Sequence, residues 1–239
     1  MAYQTDPRLA RARFGSAVAY DEGLRSYLLA VFNYMGVGLA ITGVVAFVVG
    51  TTPALYGPIL LSPLRWVVIF APLLFVFFMS ARMGSMSVSG AQIAFWLFSG
   101  LMGLSLSSIF LVYAHQSIAR VFFITAATFG ATALWGYTTK RDLTQMGSFM
   151  FMGLIGIIIA GLVNLFLASS ALQFAISVIG VIVFTGLTAW DMQRIRDSYD
   201  AYGTGEMVAK GAIMGALQLY LDFVNLFLSL LQLFGDRRS

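Results

Sequence analysis

Ala212-Ile213-Met214-Gly215-Ala216-Leu217-Gln218-Leu219-Tyr220-Leu221-Asp222-Phe223-Val224-Asn225-Leu226-Phe227-Leu228-Ser229-Leu230-Leu231-Gln232-Leu233-Phe234 is the stretch that decides how this chain is read. It is long enough to cross a bilayer as one helix, yet Asp222 stands close to its middle. Insertion scales charge about 2.5–3.5 kcal/mol for an Asp at that depth. Steps of three and four residues place Gly211, Gly215, Gln218, Asp222, Asn225 and Ser229 on one helical face. Leu219, Phe223, Leu226, Phe227, Leu230 and Leu233 cover the rest. A helix that is apolar except along one line belongs inside a bundle, with Asp222 turned to the interior. The preceding run offers a partner, Asp191, in Thr188-Ala189-Trp190-Asp191-Met192-Gln193. Two intramembrane carboxylates on consecutive helices are the strongest functional signal in the sequence.

Composition supports the membrane reading. The 239 residues are 59% hydrophobic and 10% charged, with a mean hydropathy of +0.87. Soluble domains carry about 25% charged residues, so one polytopic membrane domain accounts for the length. The net charge of +4 is then mainly a topology signal, and nucleic-acid binding is not expected. Cysteine is absent, which excludes disulfides, thiol catalysis and Cys-ligated metals. Residues 1–25 are polar, carry Arg8, Arg11, Arg13, Asp21 and Glu22, and lack the apolar core of a signal peptide. They read as a cytosolic tail, with the first membrane helix serving as an uncleaved signal.

Seven runs follow, each near the roughly 20 apolar residues that span a bilayer. They cover about Tyr27 to Gly50, Leu64 to Ser80, Gly90 to Tyr113, Val121 to Thr138, Gly147 to Ala168, Leu172 to Gln193 and Ala212 to Phe234. With the N-terminus in the cytoplasm, the inner side receives most of the Lys and Arg residues, including Arg25, Arg82, Lys140, Arg141, Arg194, Arg196 and Lys210. The outer side receives Arg65, Arg120, Arg237 and Arg238. The bias favours N-in. Arg237 and Arg238 pull against an outer C-terminus, so a re-entrant last helix stays open. Small residues align on several faces: Asn33, Gly36, Ala40 and Gly43; Ser99, Gly103 and Ser107; Ala126 and Gly130; Gly156, Ala160 and Asn164. Close helix packing is the expected use of all four rows. Pro72 is expected to bend the second span.

A buried pair such as Asp191 and Asp222 can share a proton and titrate as a unit. Its oxygens also suit a hard cation such as calcium. The bland alternative is a hydrogen bond that ties two helices. If the sixth helix ended at Gln193, Asp191 would lie near the interface; continuing it through Arg194 to Tyr199 and starting the seventh near Glu206 brings the acids to similar depth. Arg82 ends the second run on the same side as Asp191. It reads either as a topology anchor or as a salt-bridge latch that closes a pore. His115, the one histidine, falls on a short outer loop, where interfacial decoration is expected rather than pH sensing. Asp197, Asp200 and Glu206 read as solvated charges.

At Phe184-Thr185-Gly186-Leu187-Thr188-Ala189-Trp190-Asp191-Met192-Gln193 and Leu219-Tyr220-Leu221-Asp222-Phe223-Val224-Asn225-Leu226-Phe227-Leu228-Ser229-Leu230-Leu231, the chain resembles the Bax inhibitor family, in particular its bacterial members. The resemblance implies an all-α polytopic membrane protein in which six helices surround a central seventh. The corresponding divisions are a cytosolic tail (1–25), a transmembrane domain (26–235) and a short polar tail (236–239). It further implies a pH-sensitive calcium leak in a bacterial inner membrane, gated by Asp191 and Asp222, with Arg82 as the latch on Asp191. Gln218, Asn225 and Ser229 would line the path. Calcium and protons are then the ions handled, calcium bound at Asp191 and Asp222; no other cofactor and no catalytic residue is expected. Trp190 stands where such proteins often carry Tyr or Phe, and the charged tail of animal members is reduced to Asp236-Arg237-Arg238-Ser239.

Rival classes fare less well. An intramembrane aspartyl protease resembles Tyr-Asp plus Gly-x-Gly-Asp with a later Pro-Ala-Leu, whereas Leu219-Tyr220-Leu221 precedes Asp222 here and no Pro follows. A retinal protein needs a Schiff-base Lys in the seventh run, which has none. The stronger alternative is an interaction protein. Some bacterial family members look like modulators of a membrane-bound ATP-dependent protease, recognised through a flexible N-terminal tail such as residues 1–25.

Overall fold

The computed structural model describes residues 7–203 and 205–238, with side chains from Tyr20 onward. Helices dominate: α1 (Pro7–Thr51), α2 (Pro53–Leu60), α3 (Leu64–Arg82), α4 (Val88–Leu106), α5 (Ile109–Val112), α6 (His115–Thr138), α7 (Thr144–Leu167), α8 (Ser170–Tyr202) and α9 (Glu206–Phe234). Seven segments among the described residues are long and apolar enough to cross a membrane. They are the seven expected runs, each extended at one end or both, because hydropathy marks the part in hydrocarbon and not the whole helix. The chain is a multi-pass, all-α membrane protein.

Local chemistry sets the breaks. Pro53 ends α1 just before it, since the residue ahead of a proline disfavours the helical region. Ser87 caps α4 by accepting the Gly90 amide at 3.1 Å, and Ser169 does the same for Leu172 at the start of α8. The expected third span is interrupted at Ser107 and Ser108, which separate α4 from the single turn of α5. Ser107 Oγ turns back to the Leu104 carbonyl there. Between α8 and α9 the turn is short, and Gly203 and Gly205 both take positive φ, 67° and 72°. Only glycine adopts that backbone without strain.

Two expectations about the termini are refined. Residues 1–6 of the expected 1–25 tail lie outside the described residues; from Pro7 the chain is helical and continuous with the first span. At the other end α9 is one unbroken helix, long and apolar enough to cross a membrane. The backbone after it pairs with the connection between α5 and α6: the Ala114 amide donates to Asp236 O and the Arg238 amide to Val112 O, each at 2.9 Å. Arg120 binds Asp236 at 2.8 Å, and Arg238 donates to His115 Nε2 at 2.9 Å. Three of the four cations expected outside therefore share one corner with His115. Ser239 lies outside the described residues.

The last helix is the most enclosed of the seven: 67% of its most apolar window is buried, against 33% or less in the others. Its main partners are α8, α1, α6 and α4. α3 packs on α4, and α7 on α8. The ring of six around a seventh that the resemblance implies is thus not closed in the packing, and a cavity lies where α3 and α7 stand away from α9. Small residues serve only some of the expected rows. A side chain on Gly103 would collide with the Thr42 carbonyl, and Ser99 and Ser107 are fully buried. Gly36, Gly43, Gly130 and Gly156 face open space. Small size permits close approach without choosing which face takes part.

Candidate functional site

α8 and α9 form an antiparallel pair whose register follows from its tightest contacts. A side chain at Gly180 would strike Ser229, and one at Gly215 would press on Ile195. Those pairings put Asp191 level with about Gln218, and Asp222 level with about Leu187, an offset near one helical turn. The extension of α8 through Tyr202 is what brings the two acids to this depth. Their carboxyl groups face one another closely enough to interact, although no hydrogen bond joins them in this arrangement. Asp191 is 9% exposed and Asp222 5%. Two carboxyl groups can hydrogen-bond only when one holds a proton, so the geometry suits a shared one. Apart from that, Asp222 Oδ2 is buried with no hydrogen-bond partner.

Neighbours on α8 fix the direction in which Asp191 points. The Ala189 backbone abuts Gly136 of α6, and the Trp190 indole covers Gly147 of α7, so closely that neither glycine has room for a side chain. Gln193 accepts the Leu143 amide at 2.9 Å and donates to the Arg141 carbonyl at 2.8 Å. Arg196 donates to the Tyr137 carbonyl. Residues 189, 190, 193 and 196 are therefore committed to α6, α7 and their connection, which leaves the Asp191 face toward α9.

Both acids line a cavity of about 620 Å³. Its polar wall carries the predicted stripe, Gln218, Asn225 and Ser229, and continues with Gln232, Gln173 and Ser177. Asn225 and Ser229 bond back to carbonyls of their own helix. Toward the N-terminal end of α8 Ser177 donates to Gln232 at 2.6 Å, and Asn164 reaches Gln173 at 3.1 Å. The opposite wall is apolar, from Leu73 and Val76 of α3 and Leu154 and Ile157 of α7. Gln232 continues the stripe three residues beyond Ser229, a signal present in the sequence; Gln173 and Ser177 lie one turn apart on α8.

The expected latch is not formed. Arg82 is exposed at the end of α3, and the ion pairs among the described residues do not include it. α3 packs on α4 rather than along α8, so its last residue is not delivered to Asp191. Arg194, one turn further along α8 and on the same side, is the cation whose charge acts on Asp191, although it is not within ion-pair distance either. Its guanidinium lies 5.3 Å from the Trp190 ring centre. Arg194 and Gln218 line this cavity and also a smaller one of about 70 Å³ toward the C-terminal end of α8, beside Tyr27 and Ser198. Asp197 pairs with Arg196, and Glu206 with Lys210; with exposed Asp200 they are surface charges, as expected.

As a metal centre the pair is sparse. Among the described residues no third His, Cys, Asp or Glu joins it. Calcium takes 6–8 oxygens, and the pair with Gln218 and Asn225 reaches six only with both carboxylates bidentate.

Residues 24–239 match the family model described as Inhibitor of apoptosis-promoting Bax1. The chain is similar to the protein RP147 of Rickettsia prowazekii, with 50% identity over 92% of this chain and 93% of that one. It is also similar to the inner membrane protein YbhL of Escherichia coli K12, with 44% identity over 95% of this chain and 98% of the relative. A Streptococcus pyogenes serotype M1 membrane protein is 34% identical over 90% of this chain and 94% of its own.

Proposed function

This chain belongs to the Bax inhibitor family, and on that premise we propose that it is a pH-sensitive calcium leak of a bacterial inner membrane, oriented with its N-terminus inside. The observation that carries the reading is the meeting of Asp191 and Asp222 side by side, buried on the polar wall of a membrane cavity. A cation entering from the outer end passes Gln232, Gln173 and Ser229 and reaches the two carboxylates. Arg194 and Gln218 then stand between that cavity and the inner one. With both acids ionised, Arg194 is held toward Asp191 and obstructs the inner exit. Adding a proton weakens that attraction, releases Arg194 and favours flow; strong acid also removes the carboxylates that attract calcium. Flux is therefore greatest at intermediate pH. In this mechanism Arg194 takes the part that the resemblance assigns to Arg82.

The shared-proton pair does no covalent chemistry, and no activated nucleophile is required of it. The alternative of a protease modulator acting through a flexible tail is the weaker reading, because α1 runs helical and unbroken from Pro7 into the membrane. Calcium entry into liposomes containing the purified full chain, measured with a trapped indicator across a pH series, tests the proposal. Entry above that of empty liposomes, with a maximum on the acid side of neutral, is expected. Entry equal to empty liposomes at every pH would refute it.

A further inference from the structure

The cavity has a feature that an ion path does not need: one whole side is apolar and faces the lipid. Leu73 and Val76 of α3 and Phe151, Leu154, Ile157 and Ile158 of α7 form it, and these two helices share no substantial packing. α7 is the least buried span, with 6% of its apolar window enclosed. Across from that side, Asp222 Oδ2 is buried without a hydrogen-bond partner. An ionisable group beside hydrocarbon is tolerated when a partner satisfies it. Here the facing charges are Asp191 and Arg194, two carboxylates against one guanidinium. When both acids are ionised one unit of negative charge is left over.

We propose that this cavity is a side-entry site for a single-tailed amphiphile with a protonated amine, its ammonium at the Asp191 and Asp222 carboxylates that line the cavity and its chain along the apolar wall of α3 and α7. Charge complementarity selects the cationic head: an anionic head would meet two carboxylates, and a neutral one would leave the excess charge unmatched. The volume of about 620 Å³ falls within the roughly 300–1,000 Å³ range of small-molecule sites. The polar wall runs from Gln218 to Gln232, about 21 Å at 1.5 Å per residue, enough to lie beside an extended dodecyl chain. Three donor hydrogens on the ammonium can serve Asp222 together with the stripe oxygens of Gln218 and Asn225. Entry is lateral, through the gap between α3 and α7, and needs no passage through water. That such a ligand also blocks calcium rests on the leak reading above, since both cations would then compete for the same carboxylates.

The test uses the full-length protein in a non-ionic maltoside and dodecylammonium as probe, with dodecanol, dodecanoate and butylammonium as matched controls. Saturable one-to-one binding of dodecylammonium is expected by calorimetry, weakened at least tenfold in Asp222→Asn and in Ile157→Trp, which fills the opposite wall. Calcium should displace the amine. Because Asp222→Asn removes a charge at a buried position, both variants are first matched to the wild type in thermal unfolding. Dodecanol binding as tightly as the amine, or Asp222→Asn binding it as the wild type does, would overturn the proposal. Liposome flux separates the two readings. Amine binding without any calcium entry removes the leak and keeps the site, whereas calcium entry undiminished at saturating amine overturns the block.

Discussion

The most quantitative prediction concerns a polar contact far from any charge. The Tyr220 hydroxyl is fully buried and lies 2.6 Å from Thr42 Oγ1. Thr42 Oγ1 is also 2.9 Å from the Gly38 and Ser99 carbonyls. The threonine has one proton and two carbonyls to receive it, so the tyrosine is the donor in the short contact. The two single deletions are therefore unequal. Tyr220→Phe removes a donor, and Thr42 keeps its carbonyl partners; the cost is one interhelical hydrogen bond, about 0.6 kcal/mol on the membrane-protein average. Thr42→Val keeps the volume but leaves the Tyr220 O–H in an apolar site bounded by Phe95 and Phe98. An orphaned buried polar group costs about 1–3 kcal/mol.

The double variant removes both polar partners and should recover much of the Thr42→Val loss, ending within about 1 kcal/mol of the wild type. Reversible unfolding in mixed micelles reads these differences directly, since 1.4 kcal/mol is a tenfold change in the unfolding constant. The double variant falling at the sum of the two singles would refute the reasoning, because it would mean that each residue acts alone. Tyr220→Phe being the more damaging single would refute the donor assignment.

Three further outcomes follow from the site. Gly136→Ala would drive a methyl group into the Ala189 backbone and force α6 away from α8, costing about 1–3 kcal/mol; Gly36→Ala meets open space and should leave thermal unfolding unchanged. Arg194→Ala should raise calcium entry at neutral pH several-fold while Arg82→Ala does not, and the reverse order in matched liposomes would restore Arg82 as the latch. Asp191→Asn and Asp222→Asn should each move the flux-against-pH curve, with the double variant moving far less than the two together; fully additive shifts would mean two independent sites.

Much of this arrangement was legible because a bilayer restricts what backbone can do. Seven spans, the helical continuation through Tyr199 and the start of α9 at Glu206 all follow from apolar length, from the lack of Gly and Pro in Arg194 to Tyr199, and from Gly203 and Gly205 after it. The stripe through Asp222 followed from period alone. What escaped was partner choice. Arg82 and Arg194 both follow the apolar part of their runs, and only packing tells that α3 lies on α4 rather than along α8. Rows of small residues looked alike in sequence, yet Gly103 is pressed against α1 while Gly36 faces outward. The Thr42 contact to Tyr220 joins residues 178 positions apart, and no local pattern encodes it.

How the buried polar groups are satisfied shows where the functional burden falls. Thr125 returns its hydroxyl to Val121, Thr188 to Phe184 and Ser99 to Phe95, each within its own helix. Such groups cross a membrane at little cost, because the helix that carries them also supplies the acceptor. An ionised carboxylate cannot do this. It only accepts, and every amide in a helix interior is already given to the ladder. Asn225 gives its side-chain amide to the Leu221 carbonyl, and Asp222 Oδ2 has no partner on α9; its donor must come from elsewhere: a proton shared with Asp191, a hydrated ion or an ammonium group. The Tyr27 hydroxyl is likewise buried without a partner, but it is neutral and lies beside the small inner cavity with Arg194 and Ser198. Replacing Asp222 by Leu should for this reason stabilise the bundle while abolishing its response to acid, since an apolar residue of the same branched shape removes the buried charge and its unmet need together. Unfolding and liposome flux measured on one preparation decide the point: a destabilised Asp222→Leu would mean that the carboxylate holds the helices together, and its place in the cavity would then be structural.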